Sequence, residues 1–242
     1  MLGLLNASPD TFSAMSVSPA ATWVVIAAYC EEPVIARVVA QLKERGYQVV
    51  VVDDGSSDRT GELARAAGAV VLRHPINLGQ GAGLQTGIVF ALAQGAQCVV
   101  TFDGDGQHRA QEVATLVAAL DEHGADFALG SRFLGSGVRV PAARRLLLRL
   151  ATLFTRLTTG LQVTDTHNGL RAMTRRGASA IALRQNRMAH ASEILHQIAE
   201  SGLKYVEVPV TIDYTAYSLS KGQTLADALL ILTDLFARRL QR

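Results

Sequence analysis

The chain has 242 residues, enough for one large domain or two small ones. Lys and Arg number 23 against 21 Asp and Glu, and that near-balance argues against a dedicated nucleic-acid binder. With 49% hydrophobic and 18% charged residues the chain can bury a large core, while Cys30 and Cys98 alone exclude a disulfide framework or a four-cysteine zinc site and suit a reducing, cytoplasmic compartment.

Residues 1–20 are rich in Ser, Ala and Pro, show no period and lack the basic and apolar regions of a secretory signal. They read as a flexible tail ahead of one domain over 21–242. The stretches Thr11 to Cys30 and His74 to Phe102 contain no Asp, Glu, Lys or Arg. Both are interrupted by Ser, Pro or Gly, unlike the unbroken apolar run of roughly 20 residues that a spanning helix needs.

Trp23 to Ala28 is an apolar run suited to a strand buried on both faces. Pro33 to Arg45 has helical spacing, with Val34, Val38 and Leu42 on one face. Gln48 to Val52 is a second strand, Asp58 to Ala67 a helix and Ala69 to Leu72 a third strand. Gly83 to Gln94 reads as a helix, Gln97 to Phe102 as a fourth strand, Gln111 to His123 as a helix and Phe127 to Leu129 as a fifth strand. Further on, Ala142 to Thr159 is a basic amphipathic helix and Asp165 to Arg171 a polar loop. Ser192 to Ser201 is a helix, Tyr205 to Ile212 a strand and Gln223 to Arg239 a final helix. Alternating strands and helices predict a mostly parallel sheet covered on both faces, with ligands beyond the carboxyl ends of the strands. That rule selects the loops Tyr29 to Glu32, Asp53 to Asp58 and Asp103 to His108.

Asp103-Gly104-Asp105 is the sharpest signal. Two carboxylates one residue apart at a strand end suit a hard cation, Mg2+ or Mn2+, which binds through one or two carboxylates plus substrate phosphates. An Asp-rich turn that merely ends a strand fits the same residues. Gly104 permits close backbone approach, and Gln107 and His108 are further candidate contacts. In Asp53 to Asp58, Ser57 or Asp58 suits an N-cap, leaving a carboxylate for a nucleobase or ribose. Asn77 to Gly83 resembles a phosphate loop before a helix, although helix packing explains its glycines equally well.

In order and spacing these segments together resemble the family 2 glycosyltransferases of the GT-A fold, and within them the enzymes that glycosylate dolichyl and bacterial polyprenyl phosphates. The resemblance runs from about Val24 to Gln223. It rests on Ala28-Tyr29-Cys30-Glu31-Glu32, Val52 to Asp58, Asn77-Leu78-Gly79-Gln80-Gly81, Asp103 to His108, Gly130-Ser131-Arg132-Phe133, Asn168-Gly169-Leu170-Arg171 and Glu207-Val208-Pro209-Val210. It implies a nucleotide half followed by an acceptor half. Ala28, Tyr29 and Glu31 would line the nucleoside pocket, and Asp53 or Asp54 would hold base or ribose. Asn77, Gly81 and Gly104 would belong to the nucleotide-sugar site. Asp103, Asp105 and Gln107 would hold the metal and the diphosphate, and Arg132 would face the acceptor. Cys30 and Gln80 stand where the family favours Asn and Lys. The late Lys-bearing segment matches only loosely, with Lys221 as the residue that would meet the diphosphate.

The implied reaction is metal-dependent inverting transfer of a hexosyl or N-acetylhexosaminyl group from a UDP- or GDP-sugar. The acceptor is left open between a polyprenyl phosphate and a cell-envelope glycan. A hydroxyl acceptor requires a general base, for which Asp165 and Glu193 are candidates; a phosphate requires none. His167 and His190 read as polar packing residues or ligands. A non-catalytic sugar-nucleotide binder and a nucleotidyltransferase are the competing classes, the latter disfavoured by the lack of a Gly-rich loop after the first strand. On the Ala142 to Thr159 helix, Arg145, Arg149 and Arg156 share a stripe beside Leu146, Leu150, Leu153 and Leu157. That pattern suits either a core helix or a peripheral contact at the inner face of a membrane. The apolar face of the last helix, with Leu225, Leu229, Leu232 and Phe236, fits core, membrane or a homo-oligomer contact.

Overall fold

A computed structural model describes residues 17–134, 152–185, 189–213 and Tyr217. The strands are β1 (Thr22–Ala28), β2 (Gln48–Asp53), β3 (Val70–Arg73), β4 (Cys98–Thr101), β5 (Phe127–Ser131), β6 (Arg171–Thr174) and β7 (Tyr205–Pro209). The helices are α1 (Ile35–Lys43), α2 (Thr60–Ala66), α3 (Gln80–Ala93), α4 (Glu112–His123), the helical residues 152–159 as α5, α6 (Arg175–Ser179) and α7 (Ala189–Ser201). Most lie within a few residues of the sequence expectations. The Gln223 to Arg239 helix, Lys221 and the first part of the Ala142 to Thr159 helix fall outside the described residues.

The seven strands form one sheet in the order β3-β2-β1-β4-β6-β5-β7. All neighbouring pairs are parallel except those that β6 makes with β4 and β5. Sequence reading places Asp165 to Arg171 in a loop and stops there. In the structure Arg171 instead opens β6, a four-residue strand too short to show a period. The strand order reverses between β1 and β4, so the loops after those strands diverge and leave a crevice at the switch point.

Alternation along β1 divides the core into two layers. Val24, Ile26 and Ala28 face α1 and α4, where they meet Ile35, Val38, Leu42, Val113, Leu116 and Leu120. Val25 faces α3 and α7 with Leu84, Ile88, Ile194, Leu195 and Ile198. Each such side chain contributes about 1.5–3 kcal/mol on full burial, so the sheet is a rigid base for the loops at its carboxyl edge. At the start of the fold, Val17 packs on the first layer and Pro19–Ala21 forms one 3-10 turn.

Candidate functional site

The crevice holds a cavity of about 420 Å³ lined by Ala27, Ala28, Tyr29, Glu31, Asp54, Asn77, Gly79, Gln80, Asp103, Gly104, Asp105, His167, Asn168, Gly169, Arg171, His190 and Ala191. Eight residues assigned from the sequence to the nucleotide-sugar or metal site meet there, Ala28, Tyr29, Glu31, Asp54, Asn77, Asp103, Gly104 and Asp105, together with the candidate ligands His167 and His190.

Asp103 follows β4 at the switch point. Gln80 Nε2 donates to its Oδ1 at 3.0 Å, and His108 Nε2 donates to Oδ2 at 2.9 Å. Burial pushes the Asp103 carboxyl up, but the His108 hydrogen bond and the charges of His108, Arg171 and His190 outweigh it and hold the group below the usual carboxylate range. Asp105 receives the Gln107 backbone N–H at 3.0 Å and Gln107 Nε2 at 2.7 Å. Burial first, and the Asp103 charge second, push the Asp105 carboxyl up to about 6. Gln107 thus steadies Asp105 through its amide nitrogen and is absent from the cavity lining. A carboxylate oxygen that accepts one hydrogen bond keeps a second lone pair, so both aspartates retain coordinating capacity.

The two carboxylates of the Asp53-Asp54 turn divide their work. Asp53 is 1% exposed, accepts the Ser56 N–H at 2.9 Å and lies 3.7 Å from Arg73. It closes its own turn and is not in the lining. Asp54 reaches the cavity while accepting the N–H groups of Leu78 and Gly79 at 2.9 and 2.7 Å and His74 Nδ1 at 2.7 Å. It thereby fixes the loop that carries Asn77. The helix start differs from the expected Ser57 or Asp58 cap: α2 has Arg59 at its N-cap with no side-chain cap bond, and Asp58, one residue earlier, accepts the Thr60 N–H at 3.0 Å. Gly81 contributes by its missing side chain: a Cβ there would meet the Gln185 carbonyl oxygen at 2.1 Å.

The three expected acceptor-side residues are engaged elsewhere. Arg132 donates from Nε to Asp165 at 2.6 Å and from Nη2 to the His167 carbonyl at 2.9 Å. Asp165, 4% exposed, is thereby held in a buried ion pair. Glu193 accepts the backbone N–H groups of Arg184 and Gln185 at 2.8–3.1 Å, which pins the segment before α7. None of the three lines the cavity: Arg132 and Asp165 hold the segment that forms its wall, and Glu193 holds residues 184–185 outside the lining.

That wall is the segment His167 to Arg171 with His190. Glu207 on β7 accepts the Thr164 N–H at 2.7 Å and the Asp165 N–H at 3.3 Å, anchoring the segment's start. Gly169 passes directly over Asp103: a Cβ on Gly169 would lie 2.3 Å from both carboxylate oxygens. His167 is pushed down to about 4 by burial, helped by the Arg132, Arg171 and His190 charges and opposed by Asp165, so the imidazole is neutral. Sequence reading left His167 and His190 between packing and ligation and gave Arg171 no role. Their place in the wall depends on β6 and α7 meeting at the crevice, which no local pattern encodes. On the other side the chain after β7 returns to the cavity. Tyr217 Oη donates to the lining residue Glu31 at 2.9 Å, after Asp213 has paired with Arg109 at 2.6 Å in a separate pocket.

The family model for glycosyl transferase family 2 matches residues 23–181, more than half of the chain. An uncharacterized protein of Methanocaldococcus jannaschii is 37% identical over 223 residues, covering 90% of this chain and 92% of its own. A polyprenol monophosphomannose synthase of Mycolicibacterium smegmatis is 31% identical over 223 residues, covering 86% and 84%. Among solved structures, glucosyl-3-phosphoglycerate synthase from Mycobacterium tuberculosis, in complex with Mn2+, UDP and phosphoglyceric acid, superposes with a TM-score of 0.69. It is 19% identical and covers 90% of this chain and 78% of its own, a likeness of fold. The GT-A architecture expected from the motifs is the one observed, and the chain belongs to glycosyl transferase family 2.

Proposed function

We propose that this glycosyltransferase uses a divalent cation to transfer a sugar from a UDP- or GDP-sugar to a polyprenyl phosphate, with inversion at the anomeric carbon. The observation that carries the reading is the Asp103/Asp105 pair at the switch point, in one cavity with Arg171. Among the described residues no cluster of three or more His, Cys, Asp or Glu side chains is placed to hold a metal. Asp103 and Asp105, two hard oxygen donors, would suit Mg2+ or Mn2+, which proteins commonly hold through one or two carboxylates. A cation held by Asp103 and Asp105 would supply charge neutralisation on the departing nucleoside diphosphate.

The chain's own residues do the rest. Gln80, His108 and Gln107 orient the two carboxylates. Ala28, Tyr29, Glu31 and Asn77 form the nucleoside end of the cavity. The carboxylates in the lining are Glu31, Asp54, Asp103 and Asp105, all on the nucleotide or metal side. Asp165 is paired with Arg132 and Glu193 is bonded to the backbone of residues 184–185, both outside the lining. A phosphate acceptor arrives already ionised and needs no general base, which agrees with that arrangement. The name of the mycobacterial relative, a polyprenol monophosphomannose synthase, supports the same acceptor class.

The test is transfer of radiolabelled sugar from UDP-glucose, UDP-N-acetylglucosamine and GDP-mannose to undecaprenyl phosphate in detergent, with a hydroxyl-terminated glycan in parallel. The expected outcome is an organic-extractable, Mn2+-dependent product abolished by EDTA. Transfer confined to the glycan, or indifference to EDTA, refutes the reading.

A further inference from the structure

Arg171 and Asn168 stand out in the cavity wall for what they lack. Arg171 is 3% exposed, yet its guanidinium makes no hydrogen bond or ion pair among the described residues, and Nη1 is buried without a partner. Asn168 is 2% exposed, and its Nδ2 is likewise buried and unpartnered. The orientation of that amide is fixed, because Oδ1 accepts the Leu170 N–H at 3.0 Å and leaves the NH2 group turned away. Buried polar groups are almost always paired, and a buried charge without hydrogen-bond partners is costly. Two such donors, on residues three apart and lining the same cavity, mark a place that a ligand completes.

The contrast with Arg132 sharpens this. Arg132 is matched to Asp165 and the His167 carbonyl. The carboxylates nearest in charge to Arg171 are Asp103 and Asp165, and Asp103 already receives Gln80 and His108. Arg171 opens β6, on the side of β4 away from β1 and the nucleoside end. The donors thus flank the metal carboxylates from the side opposite the nucleoside.

We infer that Arg171 and Asn168 form a phosphoryl-oxyanion site that holds the acceptor's phosphate beside the metal centre. The assignment to the acceptor rests on the polyprenyl-phosphate reading above. The shared chemistry, a phosphoryl oxygen, also belongs to the donor's diphosphate, and the experiment separates the two sources.

The probes are farnesyl phosphate, a phosphomonoester, and UDP or GDP with Mn2+, each titrated calorimetrically into wild type, Arg171→Met and Asn168→Ala. Loss of a hydrogen bond to a charged group predicts roughly 10- to 100-fold weaker farnesyl phosphate binding in each variant, with a matching rise in the KM for undecaprenyl phosphate and unchanged Mn2+-nucleotide affinity. The melting temperature of ligand-free Arg171→Met is expected to equal or exceed that of wild type, because an unpaired buried charge is removed. A structural role predicts the opposite: a lower melting temperature in Arg171→Met. Weakened nucleotide binding with intact farnesyl phosphate binding reassigns the site to the donor and overturns the inference. Unchanged phosphate affinity and KM in both variants, while wild type transfers sugar to undecaprenyl phosphate, overturns the inference and leaves the acceptor reading standing. Absence of transfer to any prenyl phosphate by wild type overturns both.

Discussion

At neutral pH the Asp105 carboxylate is charged in a place that resists the charge, since burial and Asp103 push it up to about 6. An unfolded aspartate titrates near 4. The group therefore favours folding most below about pH 4, and that contribution is lost as pH rises through about 6. Asp105→Asn is expected to stabilise the metal-free protein by about 1–2 kcal/mol at pH 7.5 and by almost nothing at pH 4. Wild type is expected to gain melting temperature from Mn2+ with nucleotide under the proposed function, and the same variant is expected to lose that gain. Urea melts at the two pH values, with and without Mn2+, check both statements. His167 works in the other direction. Its folded value of about 4 lies below that of an exposed imidazole. Its contribution is complete above about pH 6.5 and lost as pH falls through about 4, and His167→Asn should remove roughly 2 kcal/mol of the acid-side loss. Equal slopes of stability against pH in wild type and His167→Asn refute this. The residue scale is also where sequence reading reaches its limit. Asp103-Gly104-Asp105 declares itself because both partners are adjacent in the chain. Whether Arg132 or Arg171 carries an unmatched charge depends on Asp165, far along the chain from Arg132.

At the scale of elements, the parallel half of the sheet is legible because β1, β2 and β4 are buried on both faces and read as unbroken apolar runs. β6 is not legible, since its four residues follow a polar loop and owe their conformation to β4 and β5 on either side. α3 shows why its glycines belong to packing more than to phosphate. A Cβ on Gly87 would come within 2.3 Å of Val25 Cγ1, and one on Gly83 within 2.8 Å of the Ala27 Cβ. The helix lies that close to β1, and its N-terminus brings Gln80 to Asp103. Gly87→Ala is expected to destabilise the fold by about 1–3 kcal/mol through overpacking against a stiff β-branched side chain. Because Gly87 lies two turns from Gln80, Mn2+-nucleotide affinity should stay within twofold. Chemical denaturation and titration of the same preparation check the pair, and full stability in Gly87→Ala refutes the packing account.

At the scale of the whole molecule, the proposed acceptor raises the question of how a cavity at the sheet's edge would meet a long isoprenoid chain held in a bilayer. Among the described residues no helix is long and apolar enough to cross a membrane. The amphipathic stripe read over Ala142 to Thr159 is described for its final turns. There Leu153 is 52% exposed and Leu157 is 77% exposed, while Thr152 and Thr155 on the other side are buried. Arg156 of that stripe is half-buried. Its Nε donates to the Val163 carbonyl at 2.7 Å, tying α5 to the strand of chain that becomes the cavity wall. Two exposed leucines one turn apart, on a helix joined through Val163 to the Asp165 to Arg171 segment, suit peripheral insertion close to the acceptor end. The expected outcome is co-sedimentation with vesicles containing anionic lipid, weakened severalfold in a Leu153→Gln/Leu157→Gln double variant. Because both side chains are exposed, the double variant should keep its stability within about 0.5 kcal/mol and its affinity for Mn2+-nucleotide. Its KM for undecaprenyl phosphate in vesicles should rise, while that for farnesyl phosphate in solution stays fixed. Wild-type binding to vesicles that survives the double substitution moves the membrane contact elsewhere, and a matching rise in the farnesyl phosphate KM shows that the leucines act on the site itself.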